Sequence, residues 1–79
     1  ASDVYKRQKV EFLKKLGHKI RILRDEKNLS QEKLAEKISI DRGHIGTIEN
    51  GKADTRIYTV KQIADALEVD ITELFNFTI

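Results

Sequence analysis

The chain has 79 residues, which is the size of one small domain. It carries a net charge of +2, and 39% of its residues are hydrophobic but only 6% are aromatic, a balance typical of a helical domain rather than a β-sandwich. The absence of cysteine excludes disulfides and thiolate zinc sites, and no apolar run approaches the ~20 residues of a membrane span, so we expect a cytoplasmic protein without membrane contact.

Charge is unevenly distributed along the chain. Residues 1–27 carry nine basic against four acidic side chains, residues 28–52 carry four of each, and residues 53–79 carry two against five. A dipolar chain of this kind suits a polyanion at its basic end. The alternative is a scatter of solvated charges without function.

The first nine residues differ from the rest. Residues 3–8 (Asp-Val-Tyr-Lys-Arg-Gln) resemble the translated sequence of a transposon-end adapter used in preparing sequencing libraries. We therefore expect residues 1–9 to be a non-native or disordered segment, and residues 10–79 to form the domain. The alternative is a genuine basic arm.

Two helices are predicted in the first half of the domain. Apolar residues recur every three or four positions over residues 10–27, as on one face of an amphipathic helix. Gly17 lies inside this pattern at a cost of roughly 1 kcal/mol relative to alanine, so we expect a close helix crossing there. Asn28 suits the left-handed residue after the helix, and Ser30 suits the N-cap of a second helix over residues 31–38.

Three further helices are predicted in the second half. After a three-residue turn, Asp41 caps a helix over residues 42–50, and Gly51 ends it. A polar loop leads to a helix over residues 58–67, and Asp70 begins a short last helix. Five short helices with short connections predict a compact all-α fold.

Residues 31–50 have the organisation of a helix-turn-helix motif, in which a short helix, a three-residue turn and a second capped helix follow one another. Ala35 is the small residue at the crossing, and apolar residues fill the positions that the motif buries: Leu34, Ile38, Ile40, Ile45 and Ile48. The segments 16–21, 23–24, 29–35, 48–52 and 63–69 extend the match. Residues 16–75 together resemble the Cro/C1-type (XRE) family of bacterial and phage repressors. The resemblance implies a five-helix, λ-repressor-like domain. A stand-alone domain of this length looks like a Cro protein, a small phage repressor, a restriction-modification controller or an antitoxin.

The sequence departs from the family pattern in the motif itself. Ser39 stands where the turn usually has glycine, and a serine there either takes a positive φ at a cost of about 1 kcal/mol or shifts the turn slightly. Gly43 and Gly46 lie inside the third helix, where two glycines cost roughly 2 kcal/mol together. They either let the helix backbone approach the floor of the DNA groove or mark a weakly specific recognition helix.

The resemblance implies that the third helix lies in the DNA major groove. Its outward residues at the base-reading positions are Arg42, Gly43, His44 and Thr47. Arg42 is the best candidate, because a guanidinium can bond O6 and N7 of guanine together; the alternative for Arg42 is a phosphate contact. Gln31 is expected to touch phosphate and brace the third helix. Further phosphate contacts are expected from Asn50, Lys52, Thr55, Arg56, Thr59 and Lys61.

Two other sets of residues are expected to be structural. Arg24 and Glu49 match the family's ion pair between the first helix and the end of the third. The C-terminal apolar residues are predicted to join two copies of the chain: Leu74, Phe75, Phe77 and Ile79. The alternative is that the rings fold back into the monomer beside Phe12.

The sequence therefore predicts a DNA-binding transcriptional regulator, in the first place a repressor, that binds a near-palindromic operator in double-stranded DNA as a homodimer. No catalytic constellation is recognisable, so we expect no enzymatic activity, cofactor, metal or small-molecule substrate. Two alternatives stay open: an antitoxin that also binds a toxin partner, and a helical protein-interaction module that does not bind DNA.

Overall fold

Five α-helices follow one another in the computed structural model, which describes residues 2–78. The helices are α1 (Ser2–Glu26), α2 (Gln31–Ile38), α3 (Arg42–Glu49), α4 (Ile57–Ala66) and α5 (Ile71–Leu74). No strand occurs within the described range. The predicted all-α fold is confirmed, and four of the helices begin within one residue of their predicted starts.

The exception is α1, which begins at Ser2 rather than at residue 10. Residues 3–10 are exposed, so no apolar stripe marks this part of the helix. Lysine, arginine and glutamine are good helix formers, and they extend a helix that is already packed further along. The structure thus gives residues 2–9 a regular conformation, while their non-native origin stays a prediction.

The helix ends are determined by local signals. Asn28 has φ 55° and Ser39 has φ 58°, so both adopt the left-handed conformation expected of them. The Ser30 hydroxyl accepts a hydrogen bond from the Lys33 backbone N–H at 3.0 Å, as its predicted capping role requires. Asp41 has the extended backbone of an N-cap residue, but its side chain makes no capping hydrogen bond, and that part of the prediction is wrong.

The core lies among the five helices, with the middle and end of α1 packed on α3 and α5, α2 packed on α3 and α4, and α4 packed on α5. Its most deeply buried large side chains come from every helix: Ile20, Leu34, Ile45, Ile63 and Leu74, joined by Leu67 just after α4. Each contributes about 1.5–3 kcal/mol through removal from water. Among the described helices, none is both long and apolar enough to cross a membrane.

Candidate nucleic-acid interface

The pair α2 and α3 forms the predicted helix-turn-helix. The turn closes through two backbone hydrogen bonds, from the Ile40 N–H to the Ala35 carbonyl at 3.0 Å and from the Ser39 N–H to the Glu36 carbonyl at 3.3 Å. Leu34 and Ala35 are buried at the crossing. The chain therefore enters α3 in a fixed direction, although serine rather than glycine occupies the left-handed position.

One face of α3 is buried and the opposite face is open to solvent. Ile45 and Ile48 point into the core, whereas the residues at the predicted base-reading positions are exposed: Arg42, Gly43, His44 and Thr47. The Thr47 hydroxyl donates to the Gly43 carbonyl at 2.9 Å, which fixes its side chain and turns its methyl group away from that bond. The structure brings these four residues together on one surface.

Arg24 and Glu49 form the expected ion pair between α1 and the end of α3. Arg24 Nε donates to Glu49 Oε2 at 2.7 Å and Nη2 donates to Oε1 at 3.1 Å, while Nη1 bonds the Leu29 carbonyl at 2.7 Å. Only 8% of Arg24 and 7% of Glu49 is exposed. The hydrogen bond to the Glu49 carboxylate raises the pKa of the Arg24 guanidinium above its usual value. The two-point pairing compensates the Arg24 guanidinium for part of the water that it loses on burial.

Gln31 joins this ion pair to the surface. Its Nε2 donates to Glu49 Oε1 at 3.0 Å, so the start of α2 is tied to the end of α3. The absence of a side chain at Gly46 leaves room beside it, since a Cβ there would lie 3.7 Å from Gln31 Oε1. The bracing role that the family resemblance implied for Gln31 is thus present, and its phosphate contact stays a prediction.

The remaining predicted phosphate ligands lie on the connection from α3 to α4 and on the first part of α4. Asn50, Lys52 and Arg56 are exposed, and Thr55 and Thr59 are half-buried. Gly51 has φ 72°, and a Cβ on it would meet the Lys14 backbone, so only glycine fits there without strain. Lys61 differs from the others, because its ammonium lies 2.6 Å from the Asp65 carboxylate and is partly neutralised.

The C-terminal residues do not form the free apolar patch that the sequence predicts. Leu74 is 0% exposed, at the centre of the monomer core, so its predicted place in a dimer interface is wrong. Phe75 and Phe77 are half-buried, with ring centroids 6.2 and 5.7 Å from that of Phe12. This is the alternative arrangement, in which the rings fold back onto the first helix. Ile79 lies outside the described residues.

Sequence reasoning missed one feature of this region. Ile57 and Tyr58, at the start of α4, are 68% and 70% exposed. The only signal in the sequence was an apolar residue and an aromatic residue next to the polar connection. No three histidine or acidic side chains come together as metal ligands anywhere in residues 2–78.

The chain is similar to one known family and to three known proteins. The family HTH_3, described as helix-turn-helix, matches residues 20–74. The control protein C.MunI from a Mycoplasma species is 38% identical over 63 residues, which is 78% of this chain and 85% of that protein. The crystal structure of the restriction-modification controller C.AhdI from Aeromonas hydrophila superposes with a TM-score of 0.78 at 38% identity, over 80% of this chain and 96% of that one. The controller C.Esp1396I, solved as a tetramer with its natural 35-base-pair operator, gives a TM-score of 0.74 at 34% identity, over 81% of this chain and 84% of that one.

Proposed function

The chain belongs to the HTH_3 helix-turn-helix family, and from this premise we propose that it is a sequence-specific DNA-binding transcriptional regulator of the restriction-modification controller type. It binds a near-palindromic operator as a homodimer, acts in the cytoplasm with its DNA, and has no catalytic activity. The observation that carries the proposal is the two-sided α3, whose inner face is in the core and whose outer face presents four exposed residues.

Affinity and specificity come from different parts of this surface. Lys52 and Arg56 carry positive charges that attract DNA phosphates, and this attraction does not depend on the DNA sequence. The N–H groups at the start of α2 add a further phosphate site. Arg42, at the first turn of α3, reaches base edges in the major groove and discriminates among them. Phosphate contacts hold the helix in place, and base contacts select the operator.

Base reading requires that α3 does not shift on the scaffold. A hydrogen bond weakens steeply when its distance or angle departs from the optimum, so a displaced helix loses discrimination. The Arg24–Glu49 pair and the Gln31–Glu49 bond anchor the C-terminal end of α3, and Ile45 and Ile48 anchor its inner face. These contacts hold the outward side chains in one arrangement before DNA arrives.

The test is selection of duplex DNA from a random pool, followed by affinity measurements on the selected sequence. We expect a sequence with two inverted half-sites. Arg42→Ala is expected to relax the choice of base at one position of each half-site, by about 1–3 kcal/mol per contact. Arg21→Ala removes the same charge from α1 and should leave base choice unchanged. Failure of the wild-type protein to enrich any sequence would contradict the proposed function.

A further inference from the structure

Thr47 stands nearly opposite the buried side of α3. The buried residues of this helix are Ile45, Ile48 and Glu49. Successive residues of a helix are turned by about 100°, so positions 43, 47 and 50 point most directly away from those three. Gly43 has no side chain, and Asn50 follows the last residue of the helix. We infer that the methyl group of Thr47 binds the 5-methyl group of a thymine in each half-site of the operator. This inference rests on the proposed function.

The hydroxyl group of Thr47 already has a partner within the helix. It donates to the Gly43 carbonyl at 2.9 Å, so its single proton is not free for DNA. Phosphate oxygens only accept hydrogen bonds, as do N7, O6 and O4 on the base edges. A contact with any of them would break the bond to Gly43. The methyl group is therefore the part of this side chain that can meet DNA without a loss inside the protein.

Two glycines beside Thr47 are not required by the packing of the protein. A Cβ on Gly46 would lie 3.7 Å from the Gln31 side chain, which is an ordinary contact distance. A Cβ on Gly43 would meet the end of the exposed Asp41 side chain at 3.0 Å, and that carboxylate can rotate aside. At Gly51, in contrast, the added atom would meet backbone. The fold thus gives no reason for glycine at positions 43 and 46.

The approach of α3 to DNA does give a reason. A threonine methyl group lies only two bonds from its Cα, so it reaches a base only when the helix backbone lies close to the floor of the major groove. Side chains at positions 43 and 46, which flank Thr47, would hold the backbone away. Thymine is the base that presents a methyl group in the major groove, and a threonine methyl group suits it. Both glycines therefore serve a close approach rather than mark a weakly specific helix.

The size of the effect follows from the burial of one small apolar group. We expect a factor of about four in affinity for each half-site, which corresponds to the roughly 0.8 kcal/mol of one buried carbon group. Two half-sites together should give a factor of about fifteen.

The experiment compares the selected duplex with duplexes in which uracil replaces thymine at one position of both half-sites, so that only 5-methyl groups are removed. The wild-type protein should lose about fifteenfold in affinity at one such position. Thr47→Ser keeps the hydroxyl and removes the methyl group, so it should bind the selected duplex about fifteenfold more weakly and no longer distinguish thymine from uracil. Thr47→Val keeps the methyl group and should still distinguish them.

The matched control is Thr72→Ser. Thr72 is an exposed threonine on α5, and its hydroxyl also donates within the chain, to the Asp70 carboxylate at 2.7 Å. Its methyl group is likewise lost in the serine variant, but it lies outside the surface that is proposed to face DNA. This variant should match the wild-type protein on every duplex.

The outcomes separate the two proposals. If the wild-type protein enriches no sequence, the proposed function fails and this inference fails with it. If it selects half-sites without thymine, or tolerates uracil at every thymine position, the inference alone is overturned. It is also overturned if Thr47→Ser still distinguishes thymine from uracil, because another residue then reads the methyl group. A Thr47→Val variant with a normal melting temperature and lost binding, beside a Thr47→Ser variant that binds as the wild type does, would overturn it as well, because the hydroxyl would then contact DNA.

Discussion

Gly17 of α1 lies directly against the backbone of Glu49 at the end of α3: a methyl group added to Gly17 would stand 2.5 Å from the Glu49 carbonyl oxygen. The side chain of the same glutamate bonds Arg24, which lies two turns further along α1. The proposed DNA-reading helix α3 is therefore fixed to α1 through both the backbone and the side chain of one residue, Glu49.

Gly17→Ala is expected to destabilise the protein, even though alanine is the better helix former by about 1 kcal/mol. The atoms in the way belong to backbone and cannot rotate aside, so we expect a net loss of about 1–3 kcal/mol in the free energy of unfolding. Gly46→Ala is the matched control. It makes the same change in a helix where the new methyl group has room, and it should stabilise. Urea denaturation shows whether each variant raises or lowers the free energy of unfolding. A more stable Gly17→Ala would contradict the close crossing of α1 and α3 at Gly17.

Glu49→Ala is expected to cost about 3 kcal/mol, because it removes the two-point partner of a buried guanidinium and leaves it only the exposed Asp25 carboxylate at 3.3 Å and the Leu29 carbonyl. Glu36→Ala removes the same kind of group from the exposed Lys33–Glu36 pair, whose atoms are 3.9 Å apart, and should change stability by less than about 1 kcal/mol. The double variant Arg24→Met/Glu49→Leu should recover most of the loss, since it removes both buried charges. Equal melting temperatures for Glu49→Ala and wild type would show that the pair contributes nothing.

DNA affinity is expected to fall steeply with salt, because cations bound to phosphates are released when the protein binds. With six to ten phosphates contacted by the dimer, the association constant should drop about 10³–10⁵-fold between 50 and 200 mM salt. Arg56→Ala should make the salt slope shallower by about 1 for each phosphate that the variant no longer neutralises. Lys61→Ala should have a smaller effect, since its charge is already paired with Asp65. Fluorescence anisotropy over a salt series measures both slopes, and equal effects of the two variants would count against this interpretation.

The double variant Phe75→Ser/Phe77→Ser is expected to lower the melting temperature without altering assembly on the operator. In the monomer Phe75 stacks on Phe12, and Phe77 meets Phe12 edge-on. Truncation of large core aromatics costs about 3–5 kcal/mol each when they are fully buried, so these half-buried rings should cost less. Thermal denaturation checks the first part, and affinity for the selected duplex with two inverted half-sites checks the second. A variant with normal stability and much weaker binding to that duplex would restore the C-terminal dimer interface.

Asp70 is expected to make stability fall in acid. Its carboxylate accepts hydrogen bonds from the Thr72 backbone N–H at 2.9 Å and the Thr72 hydroxyl at 2.7 Å, and these bonds lower the pKa of Asp70 below its usual value. A lowered pKa in the folded state means that the unfolded chain takes up the proton first as the pH falls. The contribution is therefore complete above about pH 4 and is lost as the pH falls through the folded-state pKa. Asp70→Asn keeps an acceptor that does not titrate, so its melting temperature should depend less on pH between 5 and 3 than that of the wild type. If the melting temperatures of the variant and the wild type changed with pH in the same way, the stabilising role of the Asp70–Thr72 hydrogen bonds would be contradicted.

Features that depend on neighbouring residues could be predicted from the sequence. Ser30 caps α2 through an N–H three residues away, and Asn28, Ser39 and Gly51 adopt positive φ where a helix has to end. In contrast, the Arg24–Glu49 pair joins residues 25 positions apart, and the family resemblance rather than any local pattern indicated it.

The errors concern tertiary placement. Nothing in residues 2–9 has the apolar spacing of an amphipathic helix, and they are helical only as a continuation of the packed part of α1. No local pattern showed that Leu74 lies in the core or that Phe75 packs against Phe12, which lies 63 residues earlier in the chain. A contact between two copies through Phe75 and Phe77 stays a prediction, which the double variant above tests. The exposure of Tyr58 likewise depends on which face of α4 the other helices cover.

The first half of α1 also bears on how the protein can be handled. Within the described part of the chain, the buried side chains begin at Leu16, and the earlier contact of Lys9 with Asp54 is an exposed ion pair. A dye, an affinity tag or a fused domain joined ahead of residue 3 should therefore leave the packing around the recognition helix undisturbed. The opposite end offers no such freedom, because Leu74 is wholly enclosed and the Thr78 carbonyl accepts a hydrogen bond from Lys15.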